Sequence, residues 1–484
     1  MSFKTHTFIS KLLCIALALL MLVGGLVSCS KEDDKNKPDA TPNTQAPSDD
    51  ANSPKDEKPT PYMDNFGNYV FRILGPSNST AIVGDMMGDA IEQAEFSRTD
   101  AAETKYGFVV ELIKNGSPTT AATNSASAGN DDYDMFLSTL MDTVELGLSG
   151  YLYDLNTVEW MNLDASYYSQ EARKQASFAH KLFFATGSML THDNSNIACI
   201  FFNHDIWKNL QLDEVYGKHL YDIILDGEWT VDVMEEFAKR ATYDLNGDDV
   251  MDGNDAWGYH HSNGDITALN VAFGNDLIMK NEDDIFVLNT SAKQQEDLQR
   301  IIEFFNTDYC VGHSYKQSVF RKFRQLFGLH LVGDAMLMKS EGINYGYAPY
   351  PKANVEQKEY RSWMNTYSTG INIFITVSDV NKSASIIDLL SYESMDILDP
   401  AIIEYLTVGR PVNRPEDAEV LKLMFKNTTF DLAYLWRGTG AYELVCELNN
   451  KVSTDVASTL RGAEDKIAAE VQRMLNLMEN KQQQ

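Results

Sequence analysis

The feature that most constrains this chain lies at its start, where an apolar run from Leu12 to Val27 follows Lys4 and Lys11 and ends at Ser28 and Cys29. A charged start, an apolar middle and a small-residue end make an export signal, not part of a folded body. The next stretch cannot form a core either. Residues 30–61 are almost wholly polar and hold six of the chain's 13 prolines, Pro38, Pro42, Pro47, Pro54, Pro59 and Pro61. With few apolar side chains to offset ordering entropy, this stretch reads as a disordered tether, with a reach of about 30 Å if flexible. Folding is left to residues from about 62 to 484.

The four residues Leu26-Val27-Ser28-Cys29 resemble the bacterial lipobox, an apolar residue at −3 and a small one at −1 before a cysteine. The resemblance implies a signal peptide over 1–28, cleavage before Cys29, and acylation of its sulfur. Each buried acyl CH₂ contributes roughly 0.8 kcal/mol, so several chains hold a protein on a membrane durably. The expectation is a lipid-anchored protein on the extracytoplasmic face, with a tether over 29–61.

The body is long enough for two ordinary domains and has no second apolar run long enough to span a bilayer. With 40 basic against 70 acidic residues and a net charge of −30, nucleic acid and anionic lipid are poor partners. Cys199, Cys310 and Cys446 are widely spaced, so at most one disulfide could form within the body and no zinc spacing is present. Neither a phosphate-cradling glycine loop nor a G-x-S-x-G elbow occurs, and no enzymatic activity is expected.

Short apolar runs alternate with amphipathic segments. Tyr69–Leu74 reads as a strand, Met86–Tyr106 as a helix, Phe108–Ile113 as a second strand and Tyr133–Ser138 as a third, followed by a helix into Gly150. That order is the α/β pattern of a mostly parallel sheet covered by helices. Such sheets bind ligands at the carboxyl ends of their strands, which makes Ser138 and Thr139 candidates. Lys181–Ser188, Ile197–Asn203, Ala335–Met338 and Gly370–Val377 read as further strands, Thr230–Thr242 as a helix capped by Thr230, and Ala457–Met478 as a long amphipathic helix.

The order of several blocks resembles that of bacterial extracellular solute-binding proteins of the carbohydrate-uptake, maltodextrin-binding type. The blocks are Tyr133-Asp-Met-Phe, Gly150-Tyr-Leu-Tyr-Asp-Leu155, Lys181-Leu-Phe-Phe-Ala-Thr-Gly187, Phe201-Phe-Asn-His-Asp205, Gly227-Glu-Trp-Thr230, Trp363-Met-Asn-Thr-Tyr367 and Phe430-Asp-Leu-Ala-Tyr434. The resemblance implies a two-lobed periplasmic-binding-protein-like α/β fold, each lobe a mostly parallel sheet flanked by helices, with a ligand cleft between the lobes. It divides the body into 68–185 plus about 300–365 as the first lobe and about 186–299 plus 366–484 as the second. The implied function is carbohydrate capture for the permease subunits of an ABC importer. The alternatives are a solute-sensing surface lipoprotein and a surface glycoside-active enzyme.

A sugar site needs aromatic faces for the C–H side of a pyranose and fixed polar groups for its hydroxyls. Where the resemblance places a ligand, Trp363, Asn365, Tyr367, Trp436 and Arg437 join Ser138, Thr139 and Ser188 as candidates. A separate motif runs from Asp244 to Asp255. It sets oxygens of Asp244, Asn246, Asp248, Asp252 and Asp255, with the Val250 carbonyl, at positions 1, 3, 5, 9, 12 and 7 of an EF-hand-like calcium loop. Asp249 replaces the usual glycine at position 6, and Asp255 is one methylene shorter than the usual glutamate. A structural Ca²⁺ is the only cofactor expected.

Overall fold

A computed structural model of the chain describes residues 58–482 except 262, 313–323, 410–413 and 453–454. The export signal, Cys29 and most of the tether lie outside the described residues. Tyr62 is already anchored: its N–H donates to Ser385 Oγ at 2.9 Å and its ring meets Trp160 edge-on at 5.1 Å.

The first sheet is parallel, as the β-α-β-α order demands. Strands β1 (Tyr69–Pro76) and β2 (Phe108–Asn115) pair from Tyr69–Phe108 to Pro76–Asn115, and β3 (Met135–Phe136) lies on the other side of β1. Helix α1 (Ala90–Tyr106) makes the β1–β2 crossover. Asp89 starts it with a capping box to Glu92, and Gly107 ends it at φ 70°, a left-handed conformation that glycine adopts without strain. Helices α2 (Pro118–Ser127) and α3 (Leu140–Leu148) follow β2 and β3. Residues 371–374 extend the sheet beyond β3 through isolated bridges to Ala185 and Leu152. Asn372 closes that seam, its amide exchanging hydrogen bonds with the Phe136 backbone at 3.0 and 2.8 Å.

The second sheet has five strands in the order β8-β4-β7-β5-β6, where β4 is Ala198–Asn203, β5 Trp257–His260, β6 Cys310–Val311, β7 Gln325–Leu331 and β8 Tyr345–Ala348. It is mixed: β4 is antiparallel to both β7 and β8, while β5 is parallel to β6 and β7. The cause is topological. β4 carries the chain away from Ile197 and β7 returns to it, the Val332 N–H donating to the Ile197 carbonyl at 2.9 Å. Helix α4 (Val231–Arg240) packs on β5, with the Thr230 hydroxyl accepting from the Val233 N–H as its cap. Gly258 on β5 permits that approach, since a Cβ there would stand 2.1 Å from the Ala238 carbonyl oxygen.

Strands β6, β7 and β8, given to the first lobe by the sequence-based division, pair within the second sheet, and 371–374, given to the second lobe, lie against the first. Strand pairing carries this; hydrophobic pattern alone does not say which sheet receives a strand. Ala335–Met338, read as a strand, is instead the start of helix α5 (Ala335–Ser340), which buries Ala335 and Met338, an i, i+3 pair.

Among the described residues three connections join the sheets. One is the run into β4, the second is Met364–Asn365, which bridges Ile197 and donates from the Asn365 N–H to the Asn196 carbonyl at 3.0 Å. The third is helix α6 (Val380–Thr407), which packs along α1 beside the first sheet, carries Pro400 in its interior, and leads to helix α7 (Pro415–Lys426) against β8. Among the described residues no helix is long and apolar enough to cross a membrane.

Candidate functional site

Parallel strands aim their carboxyl ends, and the loops after them, at one edge of the sheet. Here that edge is built by the turn after Pro76, by Leu137–Thr139 after β3, and by Thr366–Thr369. The last is pinned to the first sheet because the Leu140 N–H donates to both the Thr366 and Ser368 carbonyls, at 3.0 and 2.9 Å.

Two adjoining cavities open at this edge and share Thr80 and Ala81. The smaller, 190 Å³, is lined by Asn78, Ser79, Thr80, Leu137 and Thr369. The larger, 290 Å³, lies between the start of α1 and residues of the sheet connections, with Asp89, Glu92, Glu95, Thr191, Ser195 and Tyr405 in its wall. Neither is lined by a basic side chain.

The hydrogen bonding separates committed groups from available ones. Thr80 Oγ1 donates to Glu92 (3.0 Å), Thr191 Oγ1 to Glu95 (3.1 Å), and Tyr405 Oη to Asp89 (2.8 Å). Burial raises the Glu95 carboxyl above its ordinary range against the pull of Arg98, and burial together with Asp89 pushes the Tyr405 hydroxyl up to about 12. By contrast, the hydroxyls of Ser368 and Thr369 are shut off from solvent and have no hydrogen-bond partner among the described residues. A buried hydroxyl without a partner costs about 1–3 kcal/mol, so it marks a place where a partner is missing.

The residues singled out from sequence fall into three groups. Ser138 and Thr139 sit on this edge, but both hydroxyls donate to Asp142 (2.6 and 2.9 Å), and Thr139 caps α3. Asn365 and Tyr367 lie in the same loop as Thr369. The Asn365 carbonyl oxygen accepts from the Tyr367 N–H at 3.0 Å, and the Tyr367 ring is 59% exposed. Trp436 and Arg437 line a further cavity, 320 Å³, together with Met141 and Glu145 of α3, so the structure brings them to the helix that Thr139 caps.

Trp363 and Trp436 are nonetheless buried. Trp363, on the short strand β9 (Ser362–Trp363), meets Tyr434 edge-on at 5.5 Å, and Trp436 packs on Phe178 and Phe286. Arg437 pairs with Glu443 and lies over the Tyr442 ring at 4.9 Å. Ser188 stands apart from all of these, its hydroxyl donating to Asp399 at 2.7 Å. Asn78, Ser79, Thr80 and Thr369 were not singled out, although the rule that pointed to Ser138 after β3 applies equally to the Gly75-Pro-Ser-Asn-Ser-Thr80 run after β1.

The loop 244–255 is folded on itself. Asp244 accepts from the Gly247 and Asp249 N–H groups, Asn246 from Asp248, Asp248 from Val250, Asp252 from Asn254, and Asp255 from Leu245 and Asp252. Those backbone donors hold the Asp255 carboxyl below its ordinary range. Asp249, at the position where such loops favour glycine, has φ 62°. Among the described residues no three acidic, His or Cys side chains converge as a metal site, while the donor types of the loop are those calcium takes.

No family profile and no curated protein matches the chain. Solved structures match its fold over nearly all the described residues. An ABC substrate-binding protein of Listeria monocytogenes, solved with cycloalternan, is 15% identical, aligns over 83% of this chain and 98% of its own, and gives a TM-score of 0.51. An extracellular solute-binding protein of Staphylococcus aureus in complex with maltose is 13% identical over 84% and 98%, with a TM-score of 0.56. A cyclic α-maltosyl-1,6-maltose binding protein of Arthrobacter globiformis is 13% identical over 84% and 100%, with a TM-score of 0.55. The likeness is one of fold, the two-lobed α/β architecture of periplasmic-binding-protein-like proteins.

Proposed function

We propose that this chain is the substrate-capturing lipoprotein of an ABC importer, anchored outside the membrane through Cys29, and that its solute is a carbohydrate held at the carboxyl edge of the first sheet. The observation that carries the reading is the cavity at the carboxyl edge of the first sheet, lined by the polar residues Asn78, Ser79, Thr80 and Thr369. Hydroxyls and one amide oriented by a rigid sheet edge suit the hydroxyls of a sugar. Three fold relatives with names or solved complexes that specify maltose or cyclic glucans support the solute class.

Binding and release account for the site without turnover. Hydrolysis of a glycosidic bond would need two free carboxylates flanking it, roughly 5–9.5 Å apart. Asp89 and Glu92 are instead tied to the cap of α1, to Thr80 and to Tyr405. Closure of the two sheets about their three connections would complete the cavity and present a form that permease subunits recognise.

The test is a thermal-shift screen of the protein against mono- and oligosaccharides, with chromatography of the sugar afterwards. A ligand at 100 times its Kd stabilises the folded form by about 2.7 kcal/mol. A sugar-specific rise with the sugar recovered intact, weakened by Thr369→Val, is expected; a flat panel sinks the carbohydrate reading. Cys29→Ser should move the protein from the membrane to the soluble fraction, and membrane retention would remove the anchor.

A further inference from the structure

The turn after β1 contains a residue in a conformation its side chain disfavours. Ile82 stands at φ 73°. A β-branched side chain is crowded against its own backbone in that left-handed region, so a residue found there is held by its surroundings. What holds it is visible. The side chain is fully buried, and the Ile82 carbonyl oxygen accepts from Arg98 Nη2 at 3.0 Å and from Thr99 Oγ1 at 2.6 Å, both on α1. The Gly84 N–H closes the turn on the Thr80 carbonyl at 2.9 Å. A change of φ at Ile82 therefore moves Thr80 and Ala81, which the two sheet-edge cavities share, relative to α1.

Arg98 is itself fully buried, which is rare for a guanidinium and leaves all its donors to be met by protein. Its Nη1 donates to Ser394 Oγ at 2.6 Å and to the Met189 carbonyl at 3.3 Å, and its Nε to Thr99 Oγ1 at 3.1 Å. Among the described residues these partners and Ile82 are all neutral oxygens, so the rigid fork of donors fixes positions of carbonyls and hydroxyls. Ser394 lies on α6 and Met189 in the run into β4, two of the three connections between the sheets. One side chain thus ties the turn at the sheet edge to both.

We infer that Arg98 is a positioning residue for the carboxyl-edge site, acting through the Ile82 carbonyl. It holds residues 79–84 in the strained form that sets Thr80 and Ala81 between the two cavities, and fastens that form to the connections about which the sheets would close. The inference rests on the carbohydrate reading of this edge. Its consequence is preorganisation: the strain is met when the chain folds, so no solute has to reshape the turn on binding.

Strain and role are tested separately. Without ligand, Ile82→Gly should melt above Ile82→Ala, the reverse of their order at an ordinary φ, because glycine takes the left-handed region freely. A glycine variant that melts no higher than the alanine variant overturns the inference. Binding of glucose, maltose and maltotriose to the full chain is then measured by calorimetry. Arg98→Met should lose at least tenfold in affinity for whichever of these the parent binds, and adding Ile82→Gly to Arg98→Met should recover most of that loss. An arginine that only stabilises the fold is not rescued by deleting a second buried side chain, so no loss, or loss without rescue, overturns the role. If Arg98→Met does not fold, Thr99→Val, which removes the other donor to the Ile82 carbonyl, takes its place with the same outcomes. A parent that binds none of the three sugars also sinks the role, and the wider sugar panel then decides the carbohydrate reading. A parent that binds, with variants equal to it, sinks this role alone.

Discussion

Asp431 offers a sharp test of the burial energetics. It is 4% exposed and caps the short helix Leu432–Leu435 by accepting from the Tyr434 N–H at 3.0 Å. Burial raises its pKa from the ordinary 3.8 to about 7, reinforced by the nearby Asp276. The sign follows from linkage. Between pH 3.8 and 7 the unfolded chain has released this proton while the folded chain still holds it, so folding loses about 1.4 kcal/mol per pH unit, reaching a plateau of about 4 kcal/mol above pH 7. Asp431→Asn removes the ionisation, and asparagine caps helices as well as aspartate does. Urea denaturation of both proteins at pH 4, 5, 6, 7 and 8 reads the difference directly. The variant should match the parent at pH 4 and gain steadily to a plateau above pH 7. A difference that does not change with pH would refute the reasoning.

Other expectations follow from the same structure. Trp363→Ala should cost about 3–5 kcal/mol in a denaturation curve, because it deletes a buried indole packed on Tyr434; a loss of sugar affinity with unchanged stability would place Trp363 in the site instead. Of the body's three thiols, Cys199 and Cys310 are buried and pushed well up in pKa while Cys446 is half-buried, so a thiol reagent should label Cys446 first in the folded state, as read by peptide mass. We propose that calcium binds the loop 244–255; millimolar Ca²⁺ should then raise the melting temperature, Asp248→Ala should cancel the rise, and an unmoved transition retires calcium.

Local signals read correctly where one side chain or one period decides the outcome. The Thr230 cap, the strand at Ala198–Asn203 and the long C-terminal helix, Val456–Gln482, stand where residue chemistry puts them. Ala335–Met338 shows the limit: four apolar residues carry no period, and only the packing of Ala335 and Met338 selects a helix. Lys181–Ser188 and Gly370–Val377 read as strands but join the sheet only through isolated bridges, because their partners are other irregular segments.

By itself, the sequence determined the α/β class, an order of elements that suits parallel strands, and the edge at which Ser138 and Thr139 lie, because propensity, capping and strand direction are local properties. Tertiary structure alone decided which sheet each later strand enters and that the Trp363 and Trp436 side chains are buried. It also decided that the Thr369 hydroxyl finds no partner among the described residues. Those outcomes depend on contacts between residues tens to hundreds of positions apart, and no local pattern encodes whether a side chain's hydrogen bond is met.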